Sequence, residues 1–314
     1  MQNFYFLIQQ TMFFSIPLLI VAIGGMFAER SGVTNIALDG IMIMGAFSGI
    51  LFISLNQDKL AGQPILIIAL IIAAVVGIVV SLAHGFAAIS MHADQTISGT
   101  AINMFAPAFS IFVARVLRNV QQIPFKNQFR IDSVPLLGKI PFLGPLFFQN
   151  TYITTYMGLA IFLISWFVLM KTRFGLRLRS CGEHPKAADS VGIKVGQIRY
   201  IGVAISGALA GIGGVVFVVP TSTNFNATVS GYGFLAIAVL IFGQWTPPRI
   251  FMASFFFGFM KTIVSAYSGI PVLKDLPIPN DLYKMLPYIA TLIVLIITSK
   301  NSRAPKAVGQ PYNP

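Results

Sequence analysis

Apolar runs of about twenty residues alternate with short polar breaks along this chain, the pattern that a series of hydrocarbon-spanning helices requires. The first runs from Phe4 to Ala28, contains Pro17 and Gly24-Gly25, and stops at Glu29-Arg30. Asn35 to Leu55 follows, with Gly45 and Gly49 at a spacing that lets another helix approach closely. Pro64 to Ala83 carries no charge, and Thr96 to Val113 comes after a polar turn at Met91 to Gln95. Thr151 to Met170 is again uncharged. Tyr200 to Val219 bears two adjacent stripes of small residues, Ser206/Ala210/Gly214 and Gly207/Gly211, suited to close packing in lipid. Gly231 to Gly243 is short and ends in the turn Gln244-Trp245-Thr246-Pro247-Pro248-Arg249. Ile250 to Ile270 and Leu282 to Ser299 complete a set of nine predicted spans. The expected fold class is all-α: a polytopic membrane helix bundle, one transmembrane domain over residues 1–314.

Composition agrees. Of 314 residues, 56% are hydrophobic and 10% charged, against about 25% charged in soluble domains. The first ten residues, MQNFYFLIQQ, lack the positive region of a cleaved signal peptide, so the first run is expected to be retained. Net charge is +12, but the bases sit in loops beside apolar runs, which points to membrane orientation and away from nucleic acid. Cys181 is the single cysteine, so no intrachain disulfide can form.

The longest charged interval is Lys171 to Arg199, which holds Lys171, Arg173, Arg177, Arg179, Lys186, Lys194 and Arg199. Loops this rich in Lys and Arg stay in the cytoplasm. Within it Pro185 suits a first helical turn and Gly192 a left-handed residue just past a helix end, which predicts a helix of about two turns between them. A helix so short is unstable alone in water and needs something to hold it. Two readings follow: a docking knob for a cytoplasmic partner, or an ordinary connector. With 171–199 inside, the nine spans place Glu29-Arg30, the 91–95 turn, Arg249 and the C-terminal tail inside. Residues 114–150 and the N-terminus then fall outside. The 114–150 interval, with Pro124, Pro135, Pro141 and Pro145, reads as a structured loop, and the tail 300–314 as disordered.

Several chemistries are missing. No Gly-x-x-x-x-Gly-Lys-Ser/Thr loop occurs, so nucleotide phosphates are not held in that manner. His84, His92 and His184 lie on different segments, which argues against a metal site, and no nucleophile–base pair stands within the spans. Ionisable residues inside a span cost roughly 2.5–3.5 kcal/mol at its centre and each needs a reason. Asp39 reads as a partner for Arg30 or a helix-end group; Lys261 either snorkels or faces a cavity. A proton-coupled pump would need several buried carboxylates in relay, so a lone Asp39 favours energy supplied by another subunit.

Three stretches in order, ERSGVTNIALDGIMIMGAF at 29–47, GEHPKAADSVGI at 182–193 and AISGALAGIGG at 204–214, resemble permease subunits of bacterial ABC importers of the ribose/branched-chain amino-acid superfamily. The likeness is closer to the nucleoside (simple-sugar-like) branch, whose Glu-Arg-x-Gly-Val-x-Asn-Ile-x-x-Glu-Gly stretch is matched at Glu29, Arg30, Gly32, Val33, Asn35, Ile36 and Gly40. Asp39 stands where that branch has Glu, and His184-Pro185 where it commonly has Asn-Pro. The resemblance implies a transport subunit of a multi-pass bacterial plasma-membrane importer, without catalytic residues or cofactor. It implies as partners an ATP-binding cassette subunit, a second, related permease in a heterodimer, and an extracellular substrate-binding lipoprotein. Helix 185–191 would be the coupling helix, with Glu183, His184, Pro185, Ala187, Ala188, Asp189 and Gly192 as its ATPase-coupling residues. A nucleoside needs hydrogen-bonding groups and aromatic faces. Asn35, Asp39, Thr96, Ser98, Thr100, Asn103, Phe105 and Lys261 are the candidates for the solute pathway, against a plain helix–helix bonding role. A simple-sugar importer and a stand-alone secondary transporter are the alternative functions.

Overall fold

The computed structural model describes residues 2–266 except 61 and 136, the segment 304–312, and five single positions between them (285, 289, 292, 293 and 296). Seven helices among the described residues are long and apolar enough to cross a membrane. They are α1 (Gln2–Ser31), α2 (Leu38–Asn56), α3 (Gln63–Gly85), α4 (Gln95–Arg118), α5 (Ile153–Lys171), α8 (Val195–Thr221) and α10 (Pro247–Ala266). Between α5 and α8 lie α6 (Arg173–Glu183) and α7 (Pro185–Ser190). The expected span at 231–243 is α9, Tyr232–Phe242, whose eleven residues rise about 16 Å and cannot cross a hydrocarbon core of about 30 Å alone. The ninth expected span, 282–299, lies outside the described residues except for single positions.

Helix α8 is the axis of the bundle and packs against α1, α2 and α3. The two small-residue stripes explain why. A Cβ at Gly211 would lie 2.1 Å from Ala73 O and one at Gly207 2.3 Å from Gly77 O, so this face of α8 meets α3 backbone to backbone. A Cβ at Gly214 would lie 2.1 Å from Met42 O, and one at Gly45 2.4 Å from the Gly211 Cα, which seats α2 on the neighbouring face. Such approach replaces a hydrophobic drive, since lipid tails are as apolar as the helices themselves.

The helix ends sort into two faces. On one, Arg30 pairs with Glu183, Trp245 bonds Glu29, and the Ser90 and Tyr200 hydroxyls lie 2.6 Å apart. On the other, Gln9 donates to Pro145 O, Gln63 to Phe129 O and Asn127 to Val219 O. The 114–150 interval is structured, as read, but departs from purely helical structure. It carries β1 (Ile123–Pro124), β2 (Arg130–Ser133) and β3 (Gln149–Tyr152), with β4 (Asn224–Phe225) in the loop after α8. β1 pairs antiparallel with β4, Ile123 opposite Phe225, and β2 with β3, Ile131 opposite Thr151.

The tail is the clearest departure. Expected to be disordered, residues 304–312 pack on the face that carries α6 and α7, with Pro305 and Ala307 buried. Composition missed this because the segment folds by contact: Ala307 N donates to Gly182 O (2.8 Å) and Gly309 N to Gly32 O (3.2 Å).

A short presented helix and two broken helices

Helix α7 is built from local rules and held by one side chain. Thr172 caps α6 through a bond from Gly175 N (3.2 Å), and Pro185 opens α7 where its missing N–H needs no partner. At the other end Gly192 sits at φ 82°; its N–H donates to Asp189 O (2.8 Å) and Ile193 N to Ala188 O (3.1 Å). This pair of bonds with an apolar contact across the end is the glycine-terminated helix stop. Ala188, 3% exposed, packs against Cys181 and Val195 with Ile193 beside them, and that cluster anchors a helix too short to stand alone. Burial pushes the Cys181 thiol up from its ordinary pKa. Of the residues singled out from sequence, His184, Ala187, Asp189 and Gly192 are open to solvent and Glu183 and Pro185 half-buried. Ala188 instead faces inward, into the cluster with Cys181 and Val195.

Beneath α7 three elements are clasped together. Arg30, at the end of α1, lies 3.4 Å from Glu183 of α6. It also donates through Nε (3.2 Å) and Nη2 (2.9 Å) to Trp245 O in the turn between α9 and α10. The Trp245 indole N–H in turn donates to Glu29. Gln244 and Trp245 both take left-handed backbone, φ 47° and 53°, and Arg249 bonds the Gln244 side chain, so the clasp holds a strained turn. Arg199 is a further buried base, 2% exposed, with its guanidinium against Gly32 (φ 100°). It had read as a loop charge because α8 begins at Val195, five residues before the predicted span.

Between α1 and α2 the backbone at 32–37 is not helical, yet Val33, Asn35 and Ala37 are buried. Asn35 donates to Ser206 Oγ (2.9 Å), eleven residues into α8 (195 to 206), which is about 17 Å along its axis. A broken helix at that depth needs its polar backbone satisfied by protein. Gln95 accepts from Thr34 N (2.7 Å), and His84 Nε2 donates to Thr34 O (2.9 Å) while its Nδ1 lies 3.0 Å from Ser98 Oγ. Asn103 donates to Ile36 O (2.9 Å) and accepts from Gly40 N (2.7 Å). Asp39, in the first turn of α2, accepts from Gly233 N (2.9 Å) and so caps α9. Two helix starts therefore meet inside the bundle. Asp39 is a helix-end group, as one sequence reading had it, and Arg30 takes other partners.

Asn35, Asp39, Ser98 and Asn103 are brought together around this break. Thr96, Thr100 and Phe105 are not: they lie on the exposed face of α4, where Phe105 stacks on Phe109 at 5.2 Å. Lys261 is half-buried with its ammonium 5.8 Å from the centre of the Tyr232 ring, at the start of α9. Sequence reasoning weighed His84 only as a metal ligand and gave Gln95 and Trp245 no role, because the groups they bond lie far off in the chain. It also missed a 220 Å³ cavity on the face away from α7. That cavity is lined by Phe217, Phe225, Ser222, Asn224, Asn226 and Thr228, between the end of α8 and the start of α9.

Seven helices long and apolar enough to span among the described residues, with non-helical backbone buried between them, mark a multi-pass membrane protein. The chain belongs to the branched-chain amino acid transport system / permease component family, whose model matches residues 7–295. It is 44% identical over 309 residues to the guanosine ABC transporter permease protein NupQ of Bacillus subtilis, covering 98% of this chain and 96% of that one. It is 38% identical to the nucleoside ABC transporter permease protein NupC of Lactococcus lactis, with the same coverage of each. A more distant likeness, 23% over 93% of this chain and 81% of the other, is to the NupB permease of the same Lactococcus strain. Members of this class are transport subunits, and the chain carries no catalytic role.

Proposed function

We propose that this protein is a permease subunit of an ATP-driven nucleoside importer. The observation that carries the reading is identity of 44% and 38% to two nucleoside-type permeases along nearly the whole chain. A glucose-type relative is matched at 27% identity, which makes a simple sugar the weaker substrate class. In this reading α7 is the coupling helix and the α6–α7 face is cytoplasmic, in line with its run of Lys and Arg. The N-terminus and the 114–150 loop are then outside and the C-terminal tail inside.

A nucleotide cycle in a separate ATP-binding subunit moves α7, and the clasp of Arg30, Glu183 and Trp245 passes that movement to α1 and to the α9–α10 turn as a rigid shift. Solute delivered by an extracellular lipoprotein enters from the far face, where the cavity between α8 and α9 offers amide and hydroxyl groups beside two phenyl rings. Asn35, Asp39, Ser98 and Asn103 act by holding the break between α1 and α2 at the edge of that path, and Lys261 by holding Tyr232. A second permease of related sequence completes the path, covering the exposed face of α4 with Thr96, Thr100 and Phe105.

The test is uptake of labelled guanosine by cells carrying the full importer, with unlabelled nucleosides, free bases, pentoses and hexoses as competitors. Nucleosides are expected to compete and pentoses not. Competition by hexoses or pentoses alone removes the substrate reading. Uptake by the purified chain in liposomes under an ion gradient, with no ATP-binding subunit, removes the mechanism.

A further inference from the structure

The packed C-terminal segment runs across the α7 face from one cytoplasmic connection to the next. Ala307 N bonds Gly182 O at the α6–α7 junction, and Gly309 N bonds Gly32 O beyond α1. Arg199 Nη1 donates to Gln310 O (3.1 Å), and its guanidinium lies 5.7 Å from the centre of the Tyr312 ring. His92 Nε2 donates to Tyr312 O (3.2 Å), which ties in the turn before α4. With its backbone bonded inward, the segment turns Lys306 and Gln310 outward.

Lys306 faces α7 across a cleft of 440 Å³. Glu183, His184, Pro185 and Lys186 line it together with Lys306 and Gln310. Among the described residues that line it, Glu183 is the only acid and is already paired with Arg30. Lys186 and Lys306 make no ion pair among the described residues. The cleft is thus a solvent-open slot lined by two ammonium groups that have no ion-pair partner among the described residues.

We propose that residues 304–312 and α7 form a single composite docking surface for the importer's ATP-binding subunit, and that Lys186 and Lys306 receive a carboxylate side chain of that subunit between them. The occupant follows from charge: two cations that line one slot and are unpaired among the described residues select an anionic group, and the slot opens on the face that α7 presents. This rests on the reading of α7 as the coupling helix, and the experiment separates the two.

Cysteines are placed singly at Ala187, at Lys306 and, on the opposite face, at Leu60, in a Cys181→Ala background. Maleimide labelling rates are compared in the permease pair alone and in the assembled importer. Rates at 187 and 306 are expected to fall about tenfold on assembly while 60 is unchanged, because an interface that excludes solvent blocks access to the thiolate. Protection at 187 without protection at 306 overturns the composite surface and leaves α7 docking intact. Protection at neither position removes the coupling reading itself, and protection at 306 alone overturns both. For the charge pairing, Lys186→Glu with Lys306→Glu is expected to lower retention of the ATP-binding subunit about tenfold, a loss recovered by Lys186→Arg with Lys306→Arg. Equal retention by the Glu and Arg variants overturns the carboxylate assignment.

Discussion

Ala187 is open to solvent, whereas Ala188, one residue on, is packed against Cys181 and Val195, so the same substitution meets different forces at the two sites. A carboxylate at 188 would sit uncompensated in an apolar cluster, at a cost on the order of 3 kcal/mol. Ala188→Glu is therefore expected to lower the thermal midpoint of the purified permease. Ala187→Glu should leave that midpoint unchanged and reduce solute-stimulated ATP hydrolysis in the assembled importer. Asp94 offers a pH-dependent counterpart. Its Oδ1 accepts from Thr96 N (2.7 Å) and Ile97 N (3.0 Å) at the start of α4, and the amides of Ile97 and Thr96 hold its carboxyl below the usual range. A depressed folded-state pKa gives stabilisation that is complete above the unfolded value, about 3.9, and lost as pH falls through the lower folded one. Thermal midpoints measured down to pH 3 should drop more steeply for the native chain than for Asp94→Asn.

At the scale of elements, the bundle depends on backbone approach and on side chains that mend broken helices. Gly211→Val would push branched carbons against Ala73 O, where even a Cβ has 2.1 Å. Loss of membrane-inserted protein, read as the yield of monodisperse permease in detergent, is the expected outcome. Asn103→Ala removes both bonds to the 36–40 segment and leaves Gly40 N–H and Ile36 O without their partner. At about 1 kcal/mol for each lost bond and more for each group left dry, a destabilisation of about 2–4 kcal/mol is expected. An unchanged melting curve would show that the break has other support. The small-residue stripes of α8 were legible beforehand because four-residue spacing is a local property. The duty of Asn103 was not: a polar residue in an apolar run reads alike whether it meets solute or mends backbone, and only the position of the unpaired carbonyl of Ile36 decides.

For the whole molecule, the clasp around Arg30 ties α1, α6 and the α9–α10 turn into one body. The ion pair itself is partly exposed and contributes about 1 kcal/mol or less. Its importance lies in connection. Arg30→Met is expected to leave assembly with the ATP-binding subunit intact while lowering solute transported per ATP hydrolysed, measured in proteoliposomes. A proportional fall in both would place Arg30 outside the transmission route.

Much of the architecture is written in the order of residues. Where helices run, where the basic interval falls, and that Pro185 and Gly192 bound a two-turn helix all follow from transfer free energy and backbone preference, which act within one stretch of chain. Pairing across the bundle lies beyond such local forces. That Asp39 caps α9 (194 positions away), that Arg199 is buried, and that a Pro-containing basic tail bonds to Gly32 and Gly182 were settled only by folding. Each of these joins groups far apart in sequence, and a polar group's partner is determined by which other unpaired group the packed helices carry to it.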